Sequence, residues 1–289
     1  MFLQQIVNGV TLGTIYSLLA LGFSLIFGVL SFINFAHGEV AMIGAYIAWY
    51  LVSRLSLGFL PACLAAILTS VATGVIMERV GYKPIRHSPR LCAVIVSLGF
   101  SFIISTGVQL IWGTEPQRMS EFSDVSIFSI GGIIFNSTQI WILILAILMM
   151  IALQILLRKT RVGMAMRAVA LDRNTAGLMG VNTNSIISFT FAVGSGLGAV
   201  SAIMMATYYG ALYPTMGGVV GMKGFTAVVL GGPGSIPGAM VGGVAMGVIE
   251  SLAGAVFNAQ ARDAVSFIVL IIVLMVKPSG LFGKELVKE

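Results

Sequence analysis

The first 36 residues contain no charged side chain, and residues 6–30 within them form one continuous apolar run. A helix needs about 20 mainly apolar residues to cross a bilayer, because each residue rises 1.5 Å through a hydrocarbon core of about 30 Å. Residues 6–30, 57–77, 91–112, 139–157 and 185–207 meet that requirement, and 40–53, 221–231, 239–257 and 264–276 are shorter or interrupted by glycine. The opening run is far longer than the apolar core of a cleavable signal, so it is expected to stay as the first helix. Only 9% of the 289 residues are charged and 58% are hydrophobic, which leaves too few polar side chains to cover a water-facing globule. A soluble enzyme is excluded. The expected fold is all-α: a polytopic transmembrane helix bundle of 8–9 membrane segments, some short and broken by Gly or Pro, forming a single domain over 1–289.

A net charge of +6 could suggest nucleic acid, but the basic residues occupy a few inter-helix stretches instead of one face, so no nucleic-acid partner is expected. They report orientation, since short loops rich in Lys and Arg stay in the cytoplasm. Loop 78–90 holds Arg79, Lys83, Arg86 and Arg90, and loop 158–184 holds Arg158, Lys159, Arg161, Arg167 and Arg173. Segment 113–138 carries Glu115, Glu121 and Asp124 against Arg118 alone. The two basic loops are therefore read as inside and the acidic segment as outside. Lys277, Lys284 and Lys288 put the carboxyl end inside, which fits four crossings after Asn184. The stretch 34–44 either crosses or re-enters, which leaves the orientation of the first helix open.

Most of the 35 glycines fall inside helices. The pairs Gly9 and Gly13, Gly194 and Gly198, Gly238 and Gly242, and Gly243 and Gly247 are four apart, the spacing that lets membrane helices approach closely. Cys63 and Cys92 lie in apolar runs and read as small hydrophobes, not a disulfide or metal site. A faint echo links an apolar helix followed by a broken glycine-containing segment in the first third to the region after Ser185.

No phosphate-binding loop is present: residues 280–285, GLFGKE, lack both its spacing and its hydroxyl. With two histidines, no zinc pattern and no nucleophile elbow, there is no expected catalytic centre, metal or cofactor. Three stretches carry polar chemistry instead. In 33–46, INFAHGEVAMIGAY, Asn34, His37 and Glu39 sit within six residues beside apolar helix. A carboxylate at bilayer depth costs about 2.5–3.5 kcal/mol on insertion scales, so the cluster is read as a broken helix gating or lining a wet path. The alternative is a polar interfacial turn, with Asn34 as N-cap and Glu39 near the positive end of the dipole.

The inner loop 161–182 is rich in Ala, Met and Leu and predicts one or two short helices, with Asp172 or Asn174 capping the second and Gly180 ending it. Arg173 falls on the Val162, Met166 and Val169 stripe of a continuous wheel, which argues against a membrane-surface anchor and for docking to a partner through Arg161, Gly163, Arg167, Asp172, Ala176, Gly180 and Asn182. In 217–238 two prolines among many glycines predict a hairpin or half-helix. Lys223 there either snorkels outward or faces the path. Glu250, isolated in an apolar run, is either paired within the bundle or path-lining.

Taken together, residues 8–13 (NGVTLG), 34–46, 78–80 (ERV), 161–182, 225–232 (FTAVVLGG), 235–239 (SIPGA) and 278–280 (PSG) resemble the first of the two paired permease subunits of ABC importers for branched-chain amino acids. The resemblance implies alternating access driven by separate ATPases, with loop 158–184 as the cytoplasmic coupling loop and no ATP bound by this chain. It also implies a bacterial inner-membrane assembly: a second permease subunit, two cytoplasmic ATPase subunits and a periplasmic substrate-binding protein around a lipid-embedded pair. A sister branch imports urea or short amides, and an ion-coupled amino acid carrier working alone is the rival of a different class. Such a carrier would need Glu39, Lys223 or Glu250 on its route.

Overall fold

The computed structural model describes residues 2–86, 88–119, 127–130, 133–258 and 261–283. The predicted outer acids Glu121 and Asp124 and the lysines Lys284 and Lys288 lie outside that set. Each predicted apolar segment is a helix. In order these are α1 (Phe2–Leu30), α2 (His37–Ser53), α3 (Phe59–Met77) continued by a π-helical turn (Glu78–Tyr82), α4 (Arg90–Trp112) and α5 (Ser137–Lys159). Two short helices follow, α6 (Arg161–Leu171) and α7 (Arg173–Leu178), and then α8 (Thr183–Tyr209), α9 (Met216–Gly231), α10 (Ile236–Val256) and α11 (Ala261–Val276). Six helices are long and apolar enough to cross a membrane: α1, α3 with its π turn, α4, α5, α8 and α10. The fold is a polytopic helical bundle.

Helicity is not complete. Between α4 and α5 lie β1 (Gln117–Arg118), β2 (Ile127–Ile130) and β3 (Ile133–Asn136), and β4 (Ala211–Leu212) follows α8. Strands β2 and β3 form a hairpin, and β1 pairs antiparallel with β4. These ribbons were not expected; their two- to four-residue runs are too short to give a strand signal.

The core is α1, α8 and α10, with α2 and α9 wedged beside them, while α3, α4 and α5 turn Leu68, Phe102 and Leu148 outward. Apolar side chains on an outer face are what a lipid solvent permits. All four predicted glycine pairs sit at packing contacts. A Cβ on Gly9 or Gly13 would strike the backbone of α10 around Gly243, Val244 and Val248, and one on Gly247 would strike Gly9 and Gly13 in return. Ser17 seals this antiparallel crossing by donating to the Met240 carbonyl at 2.7 Å. Gly194 meets Gly22, Gly198 meets Ala41, and Gly238 and Gly242 meet Gly231.

Contacts place the ends. Gln4 at the start of α1 exchanges two hydrogen bonds of 2.8 Å with the Ile134 backbone in β3, so that end shares a side with the acidic segment. At the other end Gly28 packs near Gly234, and the amides of Leu281 and Phe282 donate to the Leu230 and Gly231 carbonyls. Since α6 also packs against α1, α5 and α8, the described carboxyl-terminal residues lie on the side of the basic loops.

Candidate functional site: a polar break at the centre and a projecting elbow

Helices α2 and α9 are about 26 and 24 Å long at 1.5 Å per residue, too short for the hydrocarbon core alone. His37, Ala41 and Gly44 meet α8 at Gly198 and Ala199 in parallel order, while Leu19, Phe23 and Gly28 of α1 meet Gly224, Phe225 and Gly234 in parallel order. Helices α1 and α8 are themselves antiparallel, as the Gly22–Gly194 and Ile15–Ser201 contacts require. Consequently α2 and α9 run in opposite directions from a shared starting point, where Gly38 lies against Gly217 and Gly221. The faint internal echo in the sequence has its counterpart in this arrangement: each half contains a long helix, an irregular connector and a half-length helix starting inside the bundle.

Glu39 occupies that junction. It lies in the first turn of α2, and its carboxylate packs against Gly217 and Gly218 in the first turn of α9. Two helix amino termini thus direct their positive ends at one carboxylate. Ser101 of α4 donates to its Oε1 at 3.4 Å, and its Oε2 has no hydrogen-bond partner among the described residues.

His37 packs edge-on against Phe23, with ring centroids 4.6 Å apart, over the space left by Gly22. Neither of its nitrogens has a partner in normal hydrogen-bond geometry. Asn34 is buried but is not the N-cap of α2. That position is Ala36, with no side-chain cap, and Asn34 Oδ1 instead accepts from the Ala36 amide at 3.1 Å and from the Tyr82 hydroxyl at 2.8 Å. The connector turns once more before the helix begins, so the Asn side chain pins the entry to the π turn. The amide nitrogen of Asn34 and the hydroxyls of Ser24 and Ser195 are likewise buried without partners among the described residues. So many orphaned polar atoms around one helix break call for water.

Lys223 and Glu250 belong to a separate cluster. Outward snorkelling of Lys223 is overturned: its ammonium is buried, 2.7 Å from Glu250 and 2.8 Å from Asp263. Glu250 also accepts from the Tyr16 hydroxyl at 2.8 Å. Lys223 lies midway along α9, a helix packed against α1, α2, α10 and α11, and only its contact with Asp263 leads toward an exposed group. Opposite lone charges on two apolar helices are a legible hint of pairing; nothing in the sequence marks Tyr16 or Asp263 as partners.

Of the one or two short helices expected in the inner loop, the structure has two, α6 and α7, with one correction. Asp172 leaves helical geometry at φ −154° and ψ 112°, so Arg173 belongs to α7 and the continuous wheel does not apply. Taken alone, α6 is amphipathic: Gly163, Met166 and Val169 are buried against the bundle, and Arg161 and Arg167 are exposed. Gly163 is required, since a Cβ there would strike the Leu156 and Leu157 backbone. Asp172 caps α7, accepting from the amides of Asn174 and Thr175 at 2.8 and 3.2 Å and from the Thr175 hydroxyl at 2.6 Å. The Thr175 hydroxyl, then the two amides, hold its carboxyl below the ordinary aspartate range. Ala176 is the buried residue of α7, Gly180 turns the chain at φ +85°, and Asn182 caps α8 at 3.1 Å from the Ser185 amide. Thr160, which caps α6 through the Gly163 amide at 3.0 Å, was missed. Between the caps, Leu171, Leu178 and Met179 stand 87%, 88% and 80% exposed, a projecting apolar elbow flanked by arginines.

The family described as the branched-chain amino acid transport system permease component matches residues 5–274. The chain belongs to that family. The high-affinity branched-chain amino acid transport system permease protein LivH of Salmonella typhimurium is 40% identical, with 100% of this chain and 97% of the relative aligned. BraD of Pseudomonas aeruginosa, described in the same words, is 38% identical over 100% and 98%. Among solved structures, PsaBC from Streptococcus pneumoniae in complex with Fab superposes with a TM-score of 0.53 at 12% identity, covering 98% of this chain and 94% of that one. At that identity it speaks for the fold alone.

Proposed function

We propose that this chain is the membrane-embedded permease subunit of an ATP-binding-cassette importer for branched-chain amino acids. In this reading residues 1–289 are one integral domain of nine segments, obtained by counting α2, α9 and α11 with the six longer helices. The observation that carries it is the capped, projecting elbow of α6 and α7 on a chain of a permease family without a phosphate-binding loop. A bundle that cannot bind ATP by that loop needs a rigid lever to receive work from one that can, and the elbow's apolar tip among arginines suits a partner's surface.

The basic loops then face the cytoplasm of a bacterial inner membrane, together with the carboxyl end. Two cytoplasmic ATPases, a second permease subunit and a periplasmic binding protein complete the transporter. The polar break at Asn34, His37 and Glu39 is the part we assign to the path or gate, because its orphaned polar atoms would be satisfied by water or by a passing zwitterion. Lys223 and Glu250, being paired with each other, serve better as a brace beside the path than as its lining. Their pairing removes two of the three candidates for an ion-coupled carrier, which needs an ionisable group free to exchange its ion and would be left with Glu39.

The test is reconstitution. Liposomes holding the permease pair and both ATPases should take up leucine, isoleucine or valine only with binding protein outside and ATP inside. Uptake by this chain alone on a proton or sodium gradient would overturn the reading, and uptake of urea in place of leucine would move it to the sister branch.

A further inference from the structure

A cavity of about 460 Å³ opens between the π-helical turn after α3 and the first turns of α8. Its mouth is basic and polar, formed by Arg79, Lys83, Arg86, Asn184 and Ser188. Because α3 ends and α8 begins on this side, Val75, Phe189 and Ala192 form its wall deeper toward the membrane centre. One acid is present, Glu78, and it is already satisfied: it is fully buried, ion-paired with Arg86 and accepts from the Ser188 hydroxyl at 2.6 Å.

Arg86 also donates to Asn184 Oδ1 at 2.5 Å, which fixes its guanidinium plane. With its side chain 7% exposed, Arg86 forms the floor of the mouth, and its Nε–H is closed off from the cavity. Arg79 and Lys83 have no ion-pair partner among the described residues. Arg173 of α7 adds to the crowding. Burial, and then the charge of Arg86, push its guanidinium below the usual arginine range. Uncompensated cations line a space with an apolar inner wall, and its volume is in the range of small-ligand pockets.

We propose that this cavity binds the phosphate of an anionic phospholipid, with the glycerol and upper acyl chains running along Val75, Phe189 and Ala192. The phosphodiester would sit between Arg79 and Lys83, with the guanidinium of Arg86 held behind them. Basic pockets between membrane helices at the cytoplasmic face recognise phosphate headgroups in this way. The π turn contributes directly: its wider ring, closed by the Lys83 amide on the Glu78 carbonyl at 2.8 Å, accompanies a line of Arg79 and Lys83 on the cavity side. Nothing in the transport reading requires this site.

The experiment is native mass spectrometry of the full-length permease, alone and in the assembled transporter, from micelles holding equal phosphatidylglycerol and phosphatidylcholine. Phosphatidylglycerol should be retained about tenfold over phosphatidylcholine. Arg79→Gln with Lys83→Gln should bring the two to parity, while Arg118→Gln on the opposite face should change nothing. Both cavity positions are exposed, so the pair should fold, and the wild-type lipid preference stands as a separate readout. Equal retention of both lipids by the wild type, or an unchanged preference in the double variant, would overturn the proposal. Displacement of phosphatidylglycerol by millimolar glycerol 3-phosphate would transfer the site to soluble phosphate esters and overturn the lipid assignment. Enrichment that vanishes once the ATPases are bound would do the same in favour of a partner's acidic side chain.

Discussion

Replacing Glu250 with Leu removes the acceptor of two buried donors, Lys223 Nζ at 2.7 Å and the Tyr16 hydroxyl at 2.8 Å. Breaking a buried ion pair from one side costs about 3–5 kcal/mol, because the remaining charge stays desolvated. Lys223 would keep Asp263, but that side chain is 57% exposed, and a solvent-screened partner offsets little of the loss. Lys223→Met strands Glu250 in the same way and should cost a similar amount. The double variant Glu250→Leu with Lys223→Met removes both charges and leaves the Tyr16 hydroxyl as the main orphan. It should lie within about 1–3 kcal/mol of the wild type, and so be more stable than either single variant. Reversible unfolding in mixed micelles, titrated with a denaturing detergent and followed by tryptophan fluorescence, measures all four corners of the cycle. If the two single costs simply add in the double variant, or if Glu250→Leu costs under about 1 kcal/mol, the buried brace is not holding α9 and the reasoning fails.

Gly163→Val should leave membrane insertion intact but unseat α6 from the end of α5, since the new side chain meets the Leu156 and Leu157 backbone; co-purification of the ATPase should fall at least tenfold. Asp172→Asn keeps an acceptor for the α7 cap and should retain that association, whereas Asp172→Lys should lose it, as pull-down of the tagged permease would report. The carboxyl of Asp172 is held below its unfolded value, so its capping contribution is complete above the ordinary aspartate pKa of about 3.9 and lost as pH falls through the lower folded value. Docking measured from pH 8 down to 5 should therefore not weaken through this residue. Glu39→Lys places a cation between two helix amino termini, where each end favours an anion by about 0.3–2 kcal/mol; leucine uptake and thermal stability should both fall, while Glu39→Gln should preserve stability.

How far the sequence carried depended on whether the signal was local. Helix positions were legible because apolar run length is a property of consecutive residues, and the Asp172 cap and the Gly180 stop were legible because capping acts over three or four residues, whereas the cap at Asn182 went unread. The alternative that made Asn34 the N-cap failed because its side chain, besides meeting the Ala36 amide, is held by Tyr82, 48 positions away. The stripe through Arg173 failed because a single extended residue, Asp172, reset the helical phase. The Glu78, Arg86 and Ser188 cluster was hidden because Glu78 and Arg86 lie in a loop that counted only as positive charge and Ser188 joins them from α8, 110 positions after Glu78.

Composition, run length and the placement of Lys and Arg determined that this chain lives in lipid, which side carries the basic loops, and that the inner connector holds one or two short capped helices. The tertiary structure decided what the isolated charges are for. It set Glu39 where two half-helices begin back to back, and it turned Lys223 and Glu250 from candidates for the path into a brace with Tyr16 and Asp263. The physical reason is that a buried charge is governed by the groups within a few ångströms of it, and here those groups come from helices that lie far apart along the chain.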